Sequence, residues 1–298
     1  HPSLDHLVDG DLGDGELTHF KDFLDGGEGV EKAHDPDGHG SHVIGILAAR
    51  GPYSHGLFGG VELDGGAPGI ELVVARVCDA KSCATDRLPE AIRWAVQTGG
   101  ADILSLSLGG QEGGIGLVND LLQDDLEAAI QEAIDAGVVV IASAGNDGPD
   151  NLDISTPANI PDVIAVGAIQ RGGVVWTNSS RGDDAGNPCR TFPPLPTVGR
   201  CDPSKKPELV APGVDILSAW TGNGFAVATG TSQATPFVTA VVAILLEDHP
   251  ALRGREDVLS LKRALMETAR PVAGQREPHD DAAGYGIVQA DAALRDYA

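Results

Sequence analysis

Aromatic side chains are scarce in this chain, at 4% of 298 residues, and basic residues are heavily outnumbered, 20 Lys plus Arg against 44 Asp plus Glu. The resulting net charge of −24 argues against non-specific binding to nucleic acid or anionic membranes. It fits a protein of salty or extracellular surroundings, or one that prefers cationic partners. No apolar run reaches about 18 residues, so no membrane span is expected. No secretory leader opens the chain; either none exists or it has been removed. Cysteine is limited to Cys78, Cys83, Cys189 and Cys201. These spacings do not fit the paired C-x2-C of common zinc sites, so two short-range disulfides and an oxidising compartment are expected.

What is plentiful is glycine and proline, 40 and 19 residues, so much of the chain must form turns and close backbone contacts. Residues 1–38 are polar and acidic, and the acidic stretch within them reads as a solvated loop. The stretch Asp9-Gly-Asp11-Leu-Gly-Asp14-Gly-Glu16 resembles a calcium loop but fails the EF-hand spacing at Gly13 and Phe20. From there elements alternate. Helices are expected over 41–49, after Asp86 as a cap, around Leu126–Ile134 up to Gly137, from about Ser232, and over 256–269. Strands are expected over 72–77, 103–108, 138–142 and 163–168, with an extended segment over 209–219. Nearly continuous apolar strands between helices predict an α/β fold with a mainly parallel central sheet flanked by helices. No repeat or linker divides residues 1–298, so one domain is expected.

In such sheets, ligands gather at the carboxyl ends of strands, and three stretches with chemical potential lie there or at helix starts. Gly230-Thr-Ser-Gln-Ala-Thr-Pro236 runs into an apolar helix. It places Ser232 among unpaired N–H groups at the positive end of the helix. Ser232 can be a simple cap there, or a nucleophile whose neighbouring N–H groups stabilise an oxyanion. Asp35-Pro-Asp-Gly-His39-Gly-Ser-His42 sets His39 between glycines before a helix. Without the Glu of H-E-x-x-H, a general base is the better role for His39 than a metal ligand, and His42 reads as a packing residue. Ser143-Ala-Gly145-Asn146 ends a buried strand on an amide that is either a turn residue or an oxyanion donor.

These three stretches resemble the motifs of the subtilisin-like serine peptidases, the subtilases. Ser107-Leu-Gly-Gly110, Lys206-Pro-Glu-Leu-Val-Ala-Pro-Gly213 and Tyr285-Gly-Ile-Val-Gln-Ala290 are also similar to segments of that family, so the resemblance spans nearly the whole chain. It implies a subtilisin-like fold and a serine endopeptidase with Ser232 as nucleophile, His39 as base and Asn146 in the oxyanion hole. Ser107, Leu108 and Gly109 would pair with an extended substrate. Ser143, Ala144 and Gly145 would line the pocket for the residue before the scissile bond. No cofactor is required for the chemistry, and structural calcium is left open.

The chain departs from the family at the triad aspartate, which should end an apolar strand shortly before a His-Pro-x-Leu segment; here His1-Pro-Ser-Leu4 comes first. Asp9 offers itself as a substitute, but no apolar strand leads into it. The expectation is that the carboxylate lies outside these residues, on an N-terminal fragment or propeptide that supplies the strand, or on another chain, or is lost. The alternatives to an endopeptidase are a pseudopeptidase that keeps a peptide-binding groove and a specialised acyl transferase. Peptide or protein substrates, a secreted or extracytoplasmic setting, and no nucleic-acid or membrane partner complete the reading.

Overall fold

The computed structural model describes residues 15–53, 61–79, 82–110, 117–149, 154–182, 205–249, 252–275 and 278–297. In chain order the elements begin with β1 (Glu16–Asp22), β2 (Gly27–Glu28), α1 (His39–Ala48), β3 (Pro52–Tyr53), β4 (Val61–Glu62), β5 (Glu71–Arg76) and α2 (Leu88–Gln97). The middle of the chain supplies β6 (Ile103–Leu106), α3 (Leu117–Asp135), β7 (Val139–Ser143), β8 (Ile164–Gln170) and β9 (Val174–Val175). It ends with β10 (Leu209–Pro212), β11 (Ile216–Trp220), β12 (Gly224–Ala228), α4 (Thr231–Asp248), α5 (Arg255–Glu267) and α6 (Ala290–Tyr297).

The expected α/β class is found. Strands β10, β8, β7 and β6 lie side by side in that order, all parallel. Val139, Ile141, Ile164 and Val166 are at most 1% exposed, because helices cover both faces of this sheet. α2 presents Leu88, Ala91, Ile92 and Ala95 to the core, the i, i+3, i+4, i+7 spacing of one helix face. α4 buries Ala234, Val238, Val242 and Leu245 in the same core.

Some boundaries differ from the sequence reading. A strand that the sequence reading did not expect precedes residue 38: β1 pairs in parallel with β5 and buries Phe20 and Asp22. Its register shifts between Leu17 and His19, so the apolar residues do not alternate cleanly and the strand was hidden in the sequence. Asp86 does not cap α2. The N-cap is Arg87, without a side-chain bond to the helix, and Pro89 in the first turn has no N–H to satisfy. The extended segment 209–219 is two strands, β10 and β11; β11 turns back into β12 through Gly222 and Asn223, both at positive φ. Cys78 and Cys83 form a disulfide. Cys189, Cys201, Asp9 and the acidic loop up to Asp14 lie outside the described residues.

A second sheet, β2-β1-β5, stands apart from the first. β5 and β6 are joined through α2 as a β-α-β unit, yet they are not hydrogen-bonded to each other. Between them is a cavity of about 730 Å³, lined by both strands and by residues of α1, α2 and α4.

At the opposite edge, Glu208 is fully buried among charges. Its Oε1 lies 2.7 Å from Lys262 Nζ and 2.9 Å from Lys206 Nζ, and its Oε2 accepts from Ala165 N at 2.7 Å. Both ammonium groups also donate to Val163 O, at 2.9 and 2.6 Å, which ties β8, β10 and α5 together.

Candidate active site

α4 starts at Gly230, the N-cap, so Ser232 is its second residue and is half-buried. Pro236 lies inside the helix and has no N–H to give to the Ser232 carbonyl, its i−4 partner. Ser107, just past the end of β6, takes that place: its Oγ donates to Ser232 O at 2.8 Å. In return Ser232 Oγ donates to Ser107 O at 3.2 Å. A residue that would elsewhere break the helix therefore anchors the end of β6 to the helix start. Ser143 Oγ at the end of β7 donates to Leu108 O at 3.3 Å, holding the next residue of the same segment.

Asn146 is exposed just beyond β7. Its Oδ1 accepts from Thr231 N at 2.9 Å and from Thr231 Oγ1 at 3.0 Å. Gly145 N donates to the same Thr231 Oγ1 at 3.1 Å. With the carboxamide oxygen engaged twice, the amide orientation is set and its NH2 is the group left to donate. Gly145 itself has φ 111°, and a side chain there would collide with Ser155 and Ser180.

His39 opens α1 and is half-buried. Gly38 before it has φ 99°, and a Cβ there would sit 2.5–2.8 Å from the Trp220 ring. Asp35 holds this helix start by accepting from Gly38 N at 2.9 Å and Ser41 N at 2.6 Å. Burial raises the Asp35 pKa, but these bonds outweigh it and keep the carboxyl below its usual range. Burial holds the His39 imidazolium below its ordinary pKa, opposed by the charges of Asp37 and Asp35. Among the described residues no carboxylate is hydrogen-bonded to His39. His42 is fully buried, with Nε2 between Ile216 O at 3.1 Å and Ala226 O at 3.2 Å, the structural role expected of it.

The structure links several of the sequence-derived residues to one another. His39 and Ser107 line the same cavity, Ser107 and Ser232 are bonded in both directions, and Asn146 is bonded to the residue before Ser232. Leu108, Gly109, Ser143, Ala144 and Gly145 follow at the ends of β6 and β7. Thr231 and Trp220 were not singled out from the sequence. Thr231 stands inside the serine motif and was legible there, whereas Trp220 arrives from the distant β11 and was not. The calcium expectation concerns a loop mostly outside the described residues. Among those described, Asp22, Asp25 and His34 could converge on an ion, but Arg76 Nη1 already lies 2.6 Å from Asp22 and 2.9 Å from Asp25.

Comparison with known proteins places the whole chain among similar sequences and folds. The model of the subtilase family matches residues 9–286. Serine protease AprX of Bacillus subtilis is 30% identical over 276 residues, covering 85% of this chain and 55% of that protein. Thermophilic serine proteinase of Bacillus sp. strain AK1 is 31% identical over 278 residues, covering 92% and 54%. The chain therefore spans about half the length of these relatives. Among solved structures, sphericase superposes with a TM-score of 0.72 at 26% identity, over 97% of this chain and 86% of that one. The prenylagaramide maturation protease PagA does so with 0.64 at 27% identity, over 87% and 82%. With the family model matched over residues 9–286 of the chain, the chain belongs to the subtilase family.

Proposed function

We propose that this protein is a secreted serine endopeptidase acting on peptides or proteins. Ser232 Oγ attacks the scissile carbonyl carbon while His39 takes its proton. The tetrahedral oxyanion is held by the Ser232 N–H at the α4 N-terminus and by the Asn146 NH2. His39 then gives the proton to the leaving amine as the C–N bond breaks, leaving an acyl group on Ser232 Oγ. Water, deprotonated by His39, releases the acid and restores the serine. The edge at Ser107, Leu108 and Gly109 pairs with the extended substrate, and Ser143, Ala144 and Gly145 line the pocket before the scissile bond. The observation that carries this reading is the pair of Thr231 bonds to Asn146 Oδ1, which leave the amide a donor beside the helix start.

Asn146→Leu is expected to lower kcat by about 10²–10³ with KM little changed, because the donor acts on charge that exists only in the transition state; the magnitude is that known for subtilisin, a relative. Equal loss in kcat and in binding of an uncharged substrate analogue would overturn the role. The excess of acid over base further favours peptides with basic residues near the cleavage site. Profiling a peptide library at low and high salt should show basic enrichment that fades with salt. A profile indifferent to both rules it out.

The second reading is a peptide-binding pseudopeptidase that keeps the edge at Ser107, Leu108 and Gly109 without the chemistry. Labelling of Ser232 by a fluorophosphonate probe separates the two: a pseudopeptidase stays unlabelled.

A further inference from the structure

Gln233 follows Ser232 in the first turn of α4 and is 3% exposed. Its neighbours in that turn are bonded: Thr231 to Asn146 and Gly145, and Thr235 Oγ1 to Thr231 O at 2.9 Å. The Gln233 backbone N–H donates to Gly230 O at 3.1 Å, but among the described residues its carboxamide has no hydrogen-bond partner. A buried amide without a partner is costly, and an apolar side chain of similar length would fill the space without that cost. Neither polar atom is both sealed and unpartnered, so the trace of exposure the residue keeps lies partly at its carboxamide. The side chain leans towards the helix start, as helical side chains do. A Cβ built on Gly230 would stand 3.0 Å from Gln233 Oε1 and 3.5 Å from both Asn146 Oδ1 and Asn146 Nδ2. Gly230 has φ 167°, an extended backbone that any residue adopts, so what glycine provides there is space. Two carboxamides, those of Asn146 and Gln233, share that space at the start of α4.

One reactant of the proposed reaction needs such a group. A peptide is positioned by its own chain, whereas the water that resolves the acyl-enzyme has no chain to hold it. Its line of attack is set only by what it bonds to, and a carboxamide offers both an acceptor and a donor. We propose that Gln233 is a catalytic residue of the hydrolytic step, holding this water against the acyl group on Ser232. One O–H of the water points to His39, which takes its proton; the other O–H donates to Gln233 Oε1. The water oxygen bonds to the acyl carbon, and the oxyanion forms between Ser232 N–H and the Asn146 NH2. The C–O bond to Ser232 then breaks, and Ser232 Oγ recovers the proton from His39. Gln233 neither gains nor loses a proton. Asn146 serves the oxyanion and Gln233 the nucleophile, so Gln233 favours water over an amine as acceptor of the acyl group. The inference rests on the peptidase reading of Ser232 and His39.

The test uses the full chain, the variant Gln233→Met, and an activated substrate, the p-nitrophenyl ester of acetyl-alanine, with glycinamide added as a competing nucleophile. The ratio of amide to acid product reads the second step alone, whichever step limits turnover. Gln233→Met is expected to raise that ratio by about 10–10², because hydrolysis loses its oriented water while the amine, a stronger nucleophile with contacts of its own, does not depend on Gln233. Fluorophosphonate labelling of Ser232 involves no water and is expected to stay within about threefold. The urea midpoint is expected to hold or rise, since an unpartnered buried amide gives way to an apolar chain of similar length. Gln233→Glu keeps an acceptor oxygen in the same place and is expected to hold the ratio near that of the parent. A ratio unmoved in Gln233→Met overturns the inference, as does one that rises equally in Gln233→Glu. A Gln233→Met chain that fails to fold overturns it as well, because the amide is then bonded within the structure. A parent that neither labels nor hydrolyses the ester overturns the peptidase reading itself, whereas a parent that does both, with the ratio unmoved in Gln233→Met, overturns this inference alone.

Discussion

Ser232→Ala is expected to abolish fluorophosphonate labelling and reduce peptide hydrolysis to background in the full chain. The size of the fall carries more information than its sign. In subtilisin, loss of the serine or the histidine costs about 2 × 10⁶ in kcat, while loss of the aspartate alone costs about 3 × 10⁴. The effects are not additive, because the residues act as one unit. If a carboxylate reaches His39, Ser232→Ala should lower kcat by about 10⁶. If none does, the unmodified chain already sits near the bottom, and the same substitution should lower it by only about 10². His39→Ala should track Ser232→Ala in either case. Measuring kcat of both variants on one peptide substrate, with intact mass read on each preparation, decides between these outcomes. A His39→Ala variant as active as the unmodified chain would remove the general base from the mechanism.

Glu208→Gln is expected to cost the fold about 3–5 kcal/mol, a large share of the 5–15 kcal/mol typical of a domain. The carboxylate is fully buried, and its charge offsets Lys206 and Lys262, which are 6% and 1% exposed. An amide there leaves two ammonium groups without a counter-charge. Even in the native protein, one carboxylate serves two lysines. Burial accordingly pushes the Lys206 pKa down to about 7, against the opposing pull of Glu208. The sign of the linked effect follows. Between about 7 and the unfolded value of 10.5 the unfolded chain binds more protons than the native one, so this group makes stability rise with pH across that window and adds no slope below it. Urea midpoints from pH 6 to 10 should show the rise, and Lys206→Met should flatten it. The triple change Glu208→Leu, Lys206→Met, Lys262→Met should recover most of the loss, because replacing a whole buried ionic set by apolar groups is often neutral. A Glu208→Gln protein as stable as the parent at pH 6 would mean that solvent reaches this buried cluster.

The sequence determined by itself what depends on neighbours within a turn or two. Glycine and small residues before an apolar run mark the start of α4, and with it Ser232 on unpaired N–H groups; the same local logic marks His39 at the start of α1 and Asn146 at the end of β7. The α/β class followed from apolar runs of strand length between helical stripes. What sequence could not determine lies far apart along the chain. β1 was hidden by the shift at Leu17 and His19, and its strand character emerges only when β5 supplies a partner. The orientation of the Asn146 amide depends on Thr231, 85 residues away. Val163, Glu208 and Lys262 meet across β8, β10 and α5 with no local signal that they must. The cavity between β5 and β6, which His39 also lines, is a property of which strand edges pair. Pairing is decided by backbone groups that every residue carries alike, so side-chain patterns could mark Ser232 and His39, and only the assembled sheets could show the space between β5 and β6.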